Sequence, residues 1–340
     1  MIELRVKKCW WLVFIIPIVG LVIFFWPKSW YNPFVRNGES QSSFLEQYDI
    51  DSLMKRGGKA SEIKIVGKAL EVEKRFLTNK DLAGQSNFTT QVFTYESEGK
   101  IISGTMNNPH PEYSSLKKAI ILVRGYTELA GYYPGSGTWK VAQILANEGY
   151  ATFSIDFLGY GLSEGESTDM LEARFVKVMN VMDLIESVKN IPWIDKNKIG
   201  IWAHSNGGQI ALSVLETVGG NYPTVLWAPM TQTFPDSVLS TIDEGSPVKA
   251  AIEEFERHYD SRRYAFENYY DWIEAPILIQ QGTADEWCQV SWQEKVVREL
   301  KDHGKKAELV LYPNDNHNLS ISWNKAVERN IEFYKTMFSL

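Results

Sequence analysis

From residue 88 onward the chain alternates short β-rich runs with stretches of helical periodicity, and this alternation limits its folds more than any other feature. Strands are expected at 90–95, 100–106, 119–124, 151–155, 199–203, 224–228, 277–281 and 307–312, with helices near 137–148, 172–190, 206–218, 291–302 and 324–337. Runs such as Ala119-Ile-Ile-Leu-Val123 are apolar at every position, so they need cover on both faces, as strands of a parallel sheet flanked by helices do. The first two strands sit close enough for a hairpin. The pattern predicts one doubly wound, mostly parallel eight-stranded α/β domain over 87–340. An acidic and aromatic stretch, 231–274, interrupts it and is expected to form a helical lid or surface helices.

Residues Cys9 to Trp26 form 18 consecutive uncharged positions, about the length that spans a hydrocarbon core of roughly 30 Å. Arg5, Lys7 and Lys8 precede the run, and no small-residue cleavage site follows it. These features predict a retained transmembrane anchor over 9–26, a cytoplasmic tail at 1–8 and a catalytic domain outside the cytoplasm. A polar tether opens the linker and N-terminal extension, 27–86. Within it an amphipathic helix ends at Gly57-Gly58 and strand-like alternation follows around Ile63 to Val66 and Leu70 to Val72. The lipid bilayer is thus one expected partner. A formal net charge of −7 argues against nucleic acid as another, since phosphate binding needs a basic surface. Cys9 and Cys288 stand too far apart in sequence to suggest a disulfide framework or a thiolate zinc site.

The chemistry gathers on three residues. In Ile199-Gly-Ile-Trp-Ala-His-Ser205-Asn-Gly-Gly-Gln-Ile210 a strand turns sharply into a helix with Ser205 at the tip. Ala203 and Gly207, at two positions either side, are small, as such a turn requires. A serine hydroxyl is a weak nucleophile without a base and a group that orients that base. Asp285 follows the strand 277–281, and His317 follows the strand 307–312. The order Ser205, Asp285, His317, each past a strand's C-terminal end, fits one of the known triad orders and not the other two. Asp315 is a rival for the acid. His204 and His303 are expected to pack or cap rather than act as bases, and Asp156 to fix its own loop.

These residues carry a resemblance. From about Asn87 the chain resembles an α/β-hydrolase, and in detail the catalytic domain of the prolyl oligopeptidase family of serine peptidases. The most specific stretches are Pro276-Ile-Leu-Ile-Gln-Gln-Gly-Thr-Ala-Asp285, Glu308-Leu-Val-Leu-Tyr-Pro313 with Asn316-His317, and Asp156-Phe-Leu-Gly-Tyr-Gly-Leu-Ser163. The resemblance implies Ser205 as nucleophile, His317 as base and Asp285 as acid, with no metal or organic cofactor. It also implies an oxyanion hole from the backbone N–H of Asn206 and that of Tyr126, or the hydroxyl of Tyr126. Ala203 replaces the family's usual glycine, and Arg124-Gly125-Tyr126 replaces its usual His-Gly pair. Residues 27–88 are too few for the β-propeller that often precedes such domains, so an esterase reading stands beside the peptidase one. A non-catalytic binding protein of the same fold is a third reading, and all three triad residues argue against it. If the substrate presents a free ammonium, Glu128 or the Glu253, Glu254, Glu256 cluster would bind it.

Overall fold

The computed structural model describes residues 44–68, 87–110, 116–241 and 246–340, all within one compact unit, Ser40–Leu340. The expected anchor at 9–26 and the strand-like stretch from Leu70 to Val72 lie outside the described residues. Among the described residues no helix is long and apolar enough to cross a membrane.

In chain order the strands are β1 (Lys64–Lys68), β2 (Phe88–Ser97), β3 (Lys100–Pro109), β4 (Lys117–Val123), β5 (Ala151–Ile155), β6 (Ile194–His204), β7 (Thr224–Trp227), β8 (Ile277–Gly282) and β9 (Ala307–Tyr312). The helices are α1 (Ile50–Arg56), α2 (Trp139–Asn147), α3 (Met170–Lys189), α4 (Asn206–Val218), α5 (Asp236–Leu239), α6 (Pro247–His258), α7 (Val290–Asp302) and α8 (Trp323–Met337). One sheet holds the strands in the order β1-β2-β3-β5-β4-β6-β7-β8-β9. Strands β4 to β9 run parallel, and β1, β2 and β3 join antiparallel at one side. A two-residue turn links β2 to β3 with Glu98 and Gly99 both at positive φ, the conformation that matches strand twist in tight hairpins.

Alternation along each central strand builds two cores. Ala119, Ile121 and Val123 of β4, with Ile201 and Ala203 of β6, face α3 and α4. Ile120, Leu122 and Trp202 face the opposite layer with Val141 and Leu145 of α2 and Tyr334 of α8. Both faces are covered, which explains why these runs lack polar positions.

Two expectations are corrected. The sheet has nine strands, because β1 pairs with β2 at the edge. All five β1 residues are exposed and a bulge interrupts the pairing between Ile65 and Gly67, so burial left little pattern in the sequence. The compact unit also begins well before residue 87. Leu45, Tyr48, Ile50 and Leu53 are buried, each contributing about 1.5–3 kcal/mol as an upper figure. Arg56 at the end of α1 grips Asp183 of α3 through two hydrogen bonds of 2.8 and 2.7 Å, and Ser97 of β2 donates to the same carboxylate at 2.6 Å.

The insertion between β7 and β8 is helical, as expected, with α5, α6 and three short 3₁₀ turns in its described part. Phe234, Phe255 and Tyr264 pack around Phe175 of α3 with ring centroids 4.8–5.8 Å apart, so this insertion is fastened to the main core.

Candidate active site

The chain leaves β4 to form β5 on one side and β6 on the other, which opens a crevice at the C-terminal ends of β4 and β6. Ligand sites in open α/β sheets form at such a reversal of strand order. Ser205 stands there, between β6 and α4, at φ 55° and ψ −125°. A non-glycine residue with this backbone costs of order 1–3 kcal/mol and persists only where its surroundings enforce it. They do so here. The Ser205 N–H donates to the Trp227 carbonyl at 3.0 Å, and the Ser205 carbonyl accepts from Gly208 and Met230 at 2.8 Å each.

The turn is also tight against its neighbours. A Cβ on Gly207 would lie 2.4 Å from the Val123 carbonyl oxygen, and one on Gly208 would lie 2.3 Å from Pro229 Cβ. A Cβ on Gly125 would lie 2.8 Å from Ser205 Cβ. The β4 loop therefore touches the serine, and side chains at these glycines would push it away.

Asp285 and His317 meet beyond the ends of β8 and β9. His317 Nδ1 lies 2.9 Å from Asp285 Oδ2 and 3.1 Å from Oδ1. Asp285 is fully buried at its side chain and His317 is 13% exposed. The same carboxylate accepts the N–H groups of Trp287 (2.8 Å) and Cys288 (3.0 Å) at Oδ1 and Gln281 Nε2 (2.8 Å) at Oδ2. Burial alone would raise its pKa, but the hydrogen bonds from His317, Cys288 and Trp287 outweigh that and hold it below the usual carboxylate value. The ionised Asp285 fixes the proton of His317 on Nδ1, which leaves Nε2 with a lone pair. Ser205 Oγ makes no hydrogen bond within the described residues.

The remaining expectations find definite places. Asp315 accepts backbone N–H groups from Asn316 (2.9 Å), Ile321 (3.1 Å) and Ser322 (2.7 Å), so its hydrogen bonds organise the loop that carries His317. His204 Nε2 lies 3.2 Å from the His317 carbonyl, with the two rings 4.9 Å apart. Burial, then the proximity of His317, pulls the His204 pKa down to about 4, so its neutral ring donates to that carbonyl. His303 pairs with Asp271 at 2.8 Å on the surface. Asp156 reaches beyond its own loop, accepting from Ser103 (2.6 Å), Tyr132 (2.7 Å) and Gly135 N–H (2.9 Å). Glu128, Glu253, Glu254 and Glu256 are exposed, and Glu254 is engaged by Arg257 and His258.

Tyr126 is 80% exposed, so its ring lies largely in solvent. The backbone N–H groups of Tyr126 and Asn206 have no acceptor within the described residues. Sequence reasoning missed the residue that sets the first of them. Arg124 is buried, with its guanidinium 4.1 Å from the ring centre of Tyr160 and 5.1 Å from that of Tyr132. It donates to the carbonyls of Asp156 (2.7 Å) and Gly125 (3.0 Å). Because the peptide group is planar and trans, fixing the Gly125 carbonyl also fixes the Tyr126 N–H, which points the opposite way. The aromatic residues Tyr132 and Tyr160 downstream of Arg124 are the only sequence signal of this role.

Asp285, Cys288 and His317 offer ligand atoms within 4.8 Å of one another. Asp285 and His317 are spent on each other, and burial followed by the charge of Asp285 pushes the Cys288 thiol far up, which opposes the thiolate that a metal would require.

The model of the prolyl oligopeptidase family matches residues 138–340. A probable dipeptidyl peptidase 4 of Aspergillus flavus is 33% identical over 150 residues, which are 40% of this chain and 18% of that protein. The uncharacterized peptidase YuxL of Bacillus subtilis is 27% identical over 192 residues, 52% of this chain and 28% of that one. The matched stretches thus span less than a third of these relatives. Among solved structures, acetyl xylan esterase 1 from Thermoanaerobacterium superposes with a TM-score of 0.60 at 16% identity, covering 85% of this chain and 93% of that one. Pyrococcus horikoshii acylaminoacyl peptidase gives 0.58 at 17% identity, covering 77% and 42%. At these identities the superpositions establish the shared fold.

Proposed function

The chain belongs to the prolyl oligopeptidase family and is a serine hydrolase, and from that premise we propose that it cleaves peptide or ester bonds through Ser205, His317 and Asp285. The observation that carries this reading is the 2.9 Å bond between Asp285 and His317, beyond adjacent strand ends, in a fold that also holds Ser205 at the strained tip of its turn.

In this mechanism Ser205 Oγ attacks the substrate carbonyl carbon while His317 Nε2 takes the hydroxyl proton. The oxyanion develops toward the N–H groups of Tyr126 and Asn206, and the N-terminal end of α4 adds its positive dipole. As the tetrahedral intermediate collapses, the scissile bond breaks and His317 gives its proton to the leaving amine or alkoxide. Water, deprotonated by His317, then attacks the acyl-enzyme; as the acyl–Oγ bond breaks, His317 returns the proton to Ser205 Oγ and the acid is released. Asp285 keeps its charge throughout and steadies the imidazolium.

Peptide hydrolysis is favoured by the family, and carboxylesterase activity is the second reading. The observation that favours the second is the superposition on acetyl xylan esterase 1 over nearly all of that enzyme. Glu128, exposed beyond the β4 loop, would hold the ammonium of an exopeptidase substrate. We extend the proposal to location: the uncharged run 9–26 anchors the chain in a bilayer with the hydrolase domain outside the cytoplasm.

Labelling with a fluorophosphonate probe, followed by a panel of p-nitrophenyl esters and Pro-p-nitroanilide peptides, tests the chemistry. Covalent labelling of Ser205 and turnover of short-chain esters are expected, with peptidase activity confined to short peptides. Absence of labelling refutes the assignment. Equal rates on N-blocked and free peptides remove the exopeptidase reading.

A further inference from the structure

On the first turn of α4 after Ser205, Gln209 holds a cation that has no counter-ion among the described residues. Arg174 on α3 donates through Nη2 to Gln209 Oε1 at 2.7 Å and to Ser237 Oγ at 2.8 Å. Both partners are neutral. Its Nε and Nη1 make no hydrogen bond, and no carboxylate pairs with it among the described residues. Burial pulls its pKa down to about 10, so the group remains a cation at neutral pH. Arg174 is half-buried, and taking an unpaired charge partly out of water is unfavourable, although a chain with net charge −7 had acidic side chains available to compensate it.

The guanidinium borders a cavity of about 40 Å³ that also touches Asn206, Gln209, Ser213, Phe175 and Phe234. None of the residues around it is acidic. Gln209 ties the cavity to the elbow, since its Nε2 donates to Asn206 Oδ1 while its Oε1 accepts from Arg174. Asn206 is the residue after the serine. Gln209 lies four residues beyond Ser205, roughly 6 Å along the helix axis. By the measure in which one water needs about 10–15 Å³, the space takes a carboxylate with one or two methylenes and excludes a bulky side chain.

We propose that this cavity is an anion subsite of the active centre, in which Arg174 binds a carboxylate carried by the substrate near the scissile carbonyl. The proposal rests on the reading of Ser205 as nucleophile. The planar fork of arginine suits a carboxylate, and the free Nε and Nη1 supply the donors. Such a carboxylate could belong to the acyl group of a dicarboxylic half-ester or to the free C-terminus of a short leaving peptide.

Two comparisons separate these sources: p-nitrophenyl glutarate against p-nitrophenyl butyrate, and short peptides with free against amidated C-termini. The wild type should favour the anionic member of one pair by roughly ten- to a hundredfold in kcat/KM, as charge-assisted hydrogen bonds allow. Arg174→Met should collapse that ratio and Arg174→Lys should keep part of it. If Arg174 merely fastens α3 to α4, both rates fall together and the ratio stands, which overturns the subsite. Should Arg174→Met not fold, protection of wild-type Ser205 from the probe by glutarate, and not by glutaramide, carries the test. Wild-type protein that labels at Ser205 but shows neither anionic preference nor glutarate protection refutes the subsite alone. Failure to label refutes the nucleophile assignment instead.

Discussion

Asp285→Asn is the most informative single change, because the donors around this carboxylate dictate what an amide must do. Oδ1 accepts two backbone N–H groups, from Trp287 and Cys288, which cannot rotate away. An asparagine must therefore keep its carbonyl oxygen on that side and turn its NH₂ toward Gln281 Nε2 and His317 Nδ1. Gln281 Nε2 is itself held by the carbonyls of Gly282 (3.0 Å) and Cys288 (2.9 Å). Relief comes only if His317 shifts its proton to Nε2, and then the nitrogen that should deprotonate Ser205 is no longer basic. The expected loss is about 10³- to 10⁴-fold in kcat, as for a wrong tautomer in this type of triad. Asp285→Ala removes the conflict and leaves both tautomers accessible, so it should be no more damaging than Asp285→Asn. Steady-state hydrolysis of p-nitrophenyl acetate by both variants, with circular dichroism to confirm folding, reads the difference. An Asn variant within tenfold of wild type would refute the tautomer argument, and a crippled Asp315→Asn would move the acid role to Asp315.

Ser205→Ala should abolish probe labelling and lower turnover by about 10⁴- to 10⁶-fold with the fold unchanged; His317→Ala should be comparably damaging, whereas His303→Ala and His258→Ala should be near neutral in the same ester assay. Burial depresses the His204 pKa from 6.5 to about 4, so its neutral form stabilises the fold above pH 6.5 and that contribution, at most about 3 kcal/mol, is lost as pH falls toward 4. Urea unfolding from pH 7 to 4 should accordingly show a shallower acid slope for His204→Gln than for wild type. Removing residues 1–30 should leave a soluble active domain, whereas removing 1–60 strips Leu45, Tyr48, Ile50 and Leu53 from the core and should lower Tm sharply in a thermal melt. Arg124→Lys loses the second carbonyl contact and the aromatic stacking, so kcat should fall about tenfold or more with KM little changed.

What the sequence made legible depended on whether burial or backbone strain wrote a local pattern. Strands β4, β5, β7, β8 and the second half of β6 are buried on both faces, and their apolar runs placed them within a few residues. Ser205 was visible because its turn tolerates only small neighbours, and Gly207 packs against Val123 for that reason. Strand β1 has no buried residue, so its alternation gave no reason to count it in the sheet. Helix α1 was readable as amphipathic, yet its partner was not, since Asp183 lies 127 residues from Arg56.

Arg124 and Arg174 share a deeper reason for having gone unread. Nothing local marks the surroundings of either arginine, because the aromatic walls of Arg124 come from Tyr132, Phe157 and Tyr160 and the partners of Arg174 come from α4 and α5. Their environments nonetheless set them apart. Arg124 spends two donors on carbonyls and stacks on rings, which keeps a cation without an ion pair in place and aligns the Tyr126 peptide beside Ser205. Arg174 has neutral partners and donors to spare, at a cavity whose lining begins with Asn206, the residue after Ser205. A glycine-rich elbow with a serine, a histidine and an aspartate belongs to many hydrolases, so on the reading proposed here substrate choice would lie in groups such as Arg174, placed by the tertiary fold and invisible to any spacing rule.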